Sequence, residues 1–174
     1  MGLVPVIETA RLRLRAHGTN DFRAAYAMWS NPAVTRFITG VPSTEQQVWM
    51  RILSYSGHWK LLGFGYWAVE EKASGAFIGE CGFVDLHRDI AASMRDVPEA
   101  GWVFDPRAHG RGYATEAMRA AIAWGDSHLP DTRTVALIHP LNEPSLRVAA
   151  KCGYAVIEHG AYLGAATEFL ERRR

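Results

Sequence analysis

Arginine and leucine alternate strictly in Arg11-Leu12-Arg13-Leu14-Arg15, a pattern that predicts a strand with Leu12 and Leu14 on its buried face. The period then changes. Phe22, Tyr26 and Trp29 recur at helical spacing, with polar caps before them and Asn31-Pro32 to stop the helix. A second helix is expected from Ser43, where Ser43 and Gln46 would form a capping box ahead of an apolar face of Val48, Ile52, Tyr55 and Trp59. In FGYWAVEEKASGAFIGECGFVDL (64–86), two apolar strands flank a turn rich in Lys, Ser and Gly, the pattern of a hairpin. EAGWVF (99–104) reads as a further short strand. Ala114, Ala117, Met118, Ala121 and Ile122 then follow the i, i+3, i+4, i+7, i+8 rule of an amphipathic helix. TRTVALI (132–138) predicts a strand, Asn142 caps a helix with Pro144 in its first turn, and Gly153 ends it. YAVIEH and ATEFLE close the chain as strands.

The order β-α-α-β-β-β-α-β-α-β-β predicts an α/β (α+β) fold: a single domain over residues 1–174, with a central mixed sheet of about seven strands flanked by about four helices. HRDIAASMRDVP (87–98) is the most loop-like segment and the one expected to be mobile, and the terminal Glu-Arg-Arg-Arg reads as a solvated tail. No linker, repeat or low-complexity tract interrupts the pattern.

Composition narrows the function classes. The 174 residues suffice for one domain with its own core. Lys and Arg number 19 against 18 Asp and Glu, a formal net charge of +1. General affinity for nucleic acid or a membrane surface is therefore not expected, and any anion binding must be local. Cys81 and Cys152 stand far apart in no metal-binding spacing, so both read as small apolar residues kept reduced, and no metal site is expected. The N-terminus lacks the basic start and long apolar core of a secretion signal, and no run approaches the ~20 apolar residues of a membrane helix. A cytoplasmic protein is the expectation.

The chemistry concentrates in RAHGRG (107–112), between the 99–104 strand and the helix after it. Gly110 and Gly112 allow backbone conformations closed to other residues and a close approach to the amides. The helix start offers unpaired N–H groups and a partial positive charge, and Arg107 and Arg111 add full charges, so a phosphate or pyrophosphate is the natural occupant. An ATP-type loop would need Lys-Ser or Lys-Thr after the second glycine, where Tyr113-Ala114 stands. A dinucleotide turn would need glycine at Thr115. Two glycines alone also fit a purely structural strand–helix turn.

Arg107-x-x-Gly110-x-Gly112-Tyr-Ala-Thr-Glu-Ala resembles the acetyl-CoA pyrophosphate turn of the GCN5-related N-acetyltransferases (GNAT), and most of all the RimJ/RimL-type branch that acetylates ribosomal-protein N-termini. ETARLRLR, EAGWVF and NEPSLRVAAKCGY (142–154) resemble that branch in consistent order over roughly residues 8–158. The resemblance implies an acetyl-CoA donor and an amine acceptor. The turn from Arg107 through Ala114, with His109, Arg111 and Thr115, would hold the pyrophosphate. The pantetheine arm would lie along Trp102, Val103 and Phe104, where that strand splays from 133–138. A backbone N–H near Trp102 or Val103 would polarise the thioester carbonyl. Asn142 and Ser145 would sit near the thiol end. Relatives often pair through sheet edges or helices, so a homodimer is open.

Acetyl transfer needs a neutral amine and a proton for the leaving thiolate. At pH 7 a lysine amine is neutral about once in 2,500 and an α-amine about once in seven, so the α-amine needs far less help. Glu99, opening the central strand, is the candidate base, with Glu80 as runner-up; a solvated glutamate or an arginine's partner is the competing reading of Glu99. Where much of the superfamily carries a proton-donating tyrosine, this chain has Ala149, which moves Ser145 forward as proton donor or thiol-positioning residue, against simple helix N-terminal hydrogen bonding. Tyr154 reads as core. The competing class is an acyl-CoA-binding module that kept the fold and lost its chemistry. The acceptor is left open among protein N-termini, amino acids, polyamines and aminoglycosides.

Overall fold

The computed structural model describes residues 4–90 and 94–174. The Arg-Leu alternation forms β2 (Leu12–Arg15) after the short β1 (Ile7–Glu8), and Leu12 and Leu14 are both fully buried. Helices α1 (Phe22–Trp29), α2 (Pro32–Thr35) and α3 (Glu45–Leu62) follow. The chain then forms β3 (Tyr66–Glu71), β4 (Ala76–Val84), β5 (Glu99–Phe104), α4 (Tyr113–His128), β6 (Arg133–Ile138), α5 (Glu143–Lys151), β7 (Ala155–Tyr162) and β8 (Ala165–Arg173). The strands join in one sheet ordered β1-β2-β3-β4-β5-β6-β8-β7. Among the described residues there are eight strands and five helices, against about seven and four expected; the difference is β1 and α2, both too short to carry a periodic signal.

Alternation of side chains across the sheet separates two cores. On one face α4 presents Ala117, Met118 and Ala121, all fully buried, to a cluster that includes Phe83, Ala100, Phe104, Ala136 and Leu170. On the other, Met28 and Trp29 of α1 and Val48 and Ile52 of α3 close over Val103. Neighbouring strands pair antiparallel from β1 to β5, with a register shift between Val69 and Glu70 of β3, and with Glu80 opposite Val103 and Gly82 opposite Gly101.

Three sequence expectations need correction. The capping box of α3 lies one residue later than Ser43: Thr44 accepts from the Gln47 amide and Gln47 from the Thr44 amide. Ser43 is buried instead, its amide donating to Trp29 O at 3.0 Å to tie the start of α3 to α1. The 87–98 segment is partly packed, for Met94 and Val97 are buried with Val135 and Phe169; residues 91–93 lie outside the described residues. The terminal arginines are not a free tail. β8 runs to Arg173, Arg172 meets Asp126 through two 2.7 Å hydrogen bonds, and Arg174 donates to the Asp126, Leu129 and Asp131 carbonyls. Arg172→Ala is expected to cost about 1 kcal/mol, lowering Tm by about 2–4 °C for a chain of this size, which a thermal melt against wild type checks.

Candidate active site

The sheet opens at its centre. β5 and β6 run parallel and pair only at Glu99 and Val135, where the Val135 amide donates to Pro98 O at 3.1 Å. Because backbone polar groups alternate along an extended strand, the Pro98 carbonyl facing β6 places the Trp102 N–H on the same edge, beyond the last pair and toward the gap. The Val103 N–H faces β4. Of the two amides proposed from sequence, the gap is offered that of Trp102.

At the far end of β5 the chain makes a 3₁₀ turn, Pro106–Ala108, capped by Asp105, and reaches α4 through Gly110 (φ +73°) and Gly112 (φ +78°). These left-handed conformations account for the glycines: no atom lies within 4 Å of a Cβ built at Gly110, so backbone geometry and not crowding excludes a side chain. Gly112 is the N-cap of α4, and no side chain caps it. The amides of Arg107, Ala108 and His109 are engaged within the turn, by Asp105 Oδ1, Asp105 O and Pro106 O. Among the described residues the amides of 110–115 have no such partner, and they stand at the positive end of a 16-residue helix dipole.

The charges around this turn are already paired. Arg107 grips Asp105, holding its carboxyl below the usual carboxylate range. Arg111 meets Glu71 at 2.9 Å and lies over the Tyr113 ring, which Arg11 also covers while pairing with Glu116. His109 bonds the Phe104 carbonyl at 2.9 Å, bracing the strand end. Ala114 and Thr115 stand half-buried in the first turn of α4.

A cavity of about 250 Å³ reaches the β5–β6 gap from the α1–α3 side. Glu99, Trp102, Val103, Asn142 and Ser145 all line it, together with Gly101, so the structure brings five of the residues singled out from sequence to one place, while those of the glycine turn lie outside it. Phe104 is buried in the core behind the turn. Asn142 caps α5 by accepting from the Ser145 amide at 3.3 Å. One helical turn along the same face, Ala149 is fully buried. Tyr154 is core, its hydroxyl 2.7 Å from that of Thr134.

Glu99 is an arginine's partner as well as a cavity residue. Arg88 Nε and Nη2 donate to its two oxygens at 2.6 and 3.0 Å. Burial opposes the Arg88 charge, yet the Glu99 carboxylate outweighs it and raises the pKa. Glu80 is wholly buried on β4, accepting from Trp29 Nε1 at 3.1 Å and from the Tyr55 hydroxyl, and it does not line the cavity.

Arg88, Tyr66, Tyr55 and Arg51 also line this cavity, and sequence reasoning had assigned none of them to it. Tyr66 lies under Gly101, where an added Cβ would fall 1.8 Å from the phenol oxygen. Burial first, then the negative charges of Glu99 and Glu80, push the Tyr66 pKa up, so the phenol stays protonated. Gly101→Ala is expected to lose about 1–3 kcal/mol by this clash, with much of the loss recovered in the Gly101→Ala/Tyr66→Phe double variant; urea unfolding of the four proteins of the cycle measures it.

Both cysteines are buried, and burial pushes up the pKa of each thiol. Asp85, His87 and Asp96 each bring one potential ligand atom within 4.8 Å of the others, Asp85 half-buried and the other two exposed. Among the described residues no helix is long and apolar enough to cross a membrane.

The acetyltransferase (GNAT) domain family matches residues 11–155. The uncharacterised protein YkkB of Bacillus subtilis is 32% identical over 147 residues, covering 83% of this chain and 82% of its own length. Among solved structures, a GnaT-family protein from Bordetella pertussis superposes with a TM-score of 0.85 at 34% identity, over 97% of this chain and 99% of that one. Two others share the fold at lower identity. Ribosomal-protein-S5-alanine acetyltransferase from Vibrio fischeri has a TM-score of 0.76 at 17% identity, over 98% and 97% of the two chains. Spermidine N-acetyltransferase from Vibrio cholerae, in complex with CoA and spermine, has 0.74 at 16%, over 95% and 96%.

Proposed function

The chain belongs to the GNAT acetyltransferases, and from that premise we propose that it moves an acetyl group from acetyl-CoA directly to a primary α-amine, of a protein N-terminus, an amino acid or a similar small amine, within a ternary complex. The observation that carries the reading is the break in the sheet: β5 and β6 part after a single pair, and a cavity holding a carboxylate meets the break. The amides of 110–115 bind the donor's pyrophosphate at the uncapped start of α4. The Trp102 N–H, already oriented toward the gap, stabilises the oxyanion as the amine adds to the thioester carbonyl.

Glu99 receives the amine proton. Its two oxygens are held in place by Arg88, and the α-amine it would serve is already neutral about once in seven at pH 7, so little help from a base is needed. The C–N bond forms and the C–S bond breaks; Ser145, at the first turn of α5, positions the departing thiolate or relays a solvent proton to it, and Glu99 returns the amine proton to solvent. Neither cysteine competes as an acyl carrier, since both are buried with raised pKa values. The RimJ/RimL-type motifs favour an α-amine over a lysine side chain.

Ala149 favours a second reading, a binding module without turnover, because the proton-donating tyrosine of many relatives is replaced by a buried methyl group. A thiol-release assay with acetyl-CoA separates the two, run against N-terminal peptides, lysine peptides, amino acids, polyamines and aminoglycosides. Acceptor-dependent release above hydrolysis, greatest with α-amines, is the expected result. Silence with every amine, while acetyl-CoA still raises Tm, would leave the binding module or an acceptor outside the panel. Silence without a thermal shift would remove acetyl-CoA as the ligand.

A further inference from the structure

We propose that Arg51 forms an anion subsite in the acceptor cavity, so that the acceptor is an amino carboxylate: a primary amine with a carboxylate a few bonds from its nitrogen. This deepens the acetyl-transfer reading and rests on it. Arg51, Ser54 and Tyr55 stand at i, i+3 and i+4 on α3 and line the same cavity as Glu99. Other arginines of this side of the sheet are matched to carboxylates: Arg15 to Asp21 and Glu70, and Arg88 to Glu99. Arg51 is not. Its guanidinium rests 3.8 Å over the Trp29 ring, and its Nε is buried without a hydrogen-bond partner among the described residues.

The indole beneath is itself fixed, for its N–H donates to Glu80, which the Tyr55 hydroxyl also engages. Glu80 lends negative potential from behind the wall but leaves the guanidinium's donors unused on the cavity side. The lining therefore sets two guanidiniums against one carboxylate, and that carboxylate is held by Arg88. A polyamine would bring further ammonium groups into this surplus of positive charge with no acid to receive them. An amino carboxylate inverts the problem: its ammonium goes to Glu99 and its carboxylate to the planar fork of Arg51.

The test compares each common amino acid with its carboxamide as acetyl acceptor, using wild type, Arg51→Gln and Arg51→Lys. In parallel, calorimetry compares N-acetyl amino acids with N-acetyl amino acid amides as ligands of the CoA-loaded protein. For the best side chain, wild type should favour acid over amide by about tenfold or more in kcat/KM and in affinity. Arg51→Gln should bring that ratio near one, and Arg51→Lys should restore part of it. Equal use and binding of acid and amide in wild type, a preference for polyamines, or a ratio untouched in Arg51→Gln would overturn the subsite. Absence of turnover with acid-selective, Arg51-dependent binding would defeat the catalytic reading and leave the subsite standing.

Discussion

Glu99→Gln is expected to slow turnover by about a hundredfold while the dissociation constant for acetyl-CoA stays within about twofold of wild type. The separation follows from geometry. Glu99 lines the acceptor cavity at the start of β5, whereas the free donors of 110–115 lie past the other end of that strand. Glutamine keeps the shape of glutamate and can still accept one hydrogen bond from Arg88, so the cavity wall should hold. The amide cannot take a proton, and Arg88 loses its counter-charge. The cavity becomes more positive where an ammonium must arrive, which adds a rise in KM for the acceptor. Steady-state kinetics across pH, with calorimetry for acetyl-CoA, reads both effects. An unchanged kcat throughout the profile would exclude Glu99 from proton transfer and leave it as the partner of Arg88.

Gly112→Val should act in the opposite way, weakening acetyl-CoA binding by about tenfold or more with little change in kcat at saturation. Gly112 sits at φ +78°, a conformation in which a β-branched residue carries about 1–3 kcal/mol of strain. As N-cap it also aims the first turn of α4, so relief of that strain swings the amides that hold the pyrophosphate. Gly112→Ala should fall between. Thermal melts without ligand separate the two costs: a variant that loses stability but binds acetyl-CoA normally would assign the glycine to folding alone.

Much of this architecture was legible because it is local. The Arg-Leu alternation and the five apolar positions of α4 each describe one element and one buried face, and both faces are where the periodicity put them. The glycine turn is equally local, since its two positive φ angles need nothing beyond the backbone. What escaped depends on partners distant in sequence. The Ser43 amide is taken by Trp29, which moves the α3 cap by one residue, and no pattern near Ser43 records that. The terminal arginines look like a tail until β8 carries Arg172 beside Asp126, 46 positions away. The cavity walls are of the same kind. Tyr66 meets Gly101 only because β3, β4 and β5 lie side by side in one register. Arg51 meets Trp29 only because α3 packs on α1. Glu99 was visible as a charged residue opening a strand, but its grip by Arg88 depends on how the 87–98 loop returns.

The burial of Cys81 and Cys152 bears on what happens after each reaction cycle. Transfer of the acetyl group leaves a free coenzyme thiol beside the protein, and in an oxidising episode that thiol becomes a mixed-disulfide partner for any accessible cysteine. Here neither sulfur presents itself, and burial disfavours the thiolate that exchange requires. The cysteines are thereby insulated from the reaction's own by-product, and thiol oxidation should reach the protein chiefly through loss of the free coenzyme from which its donor is made.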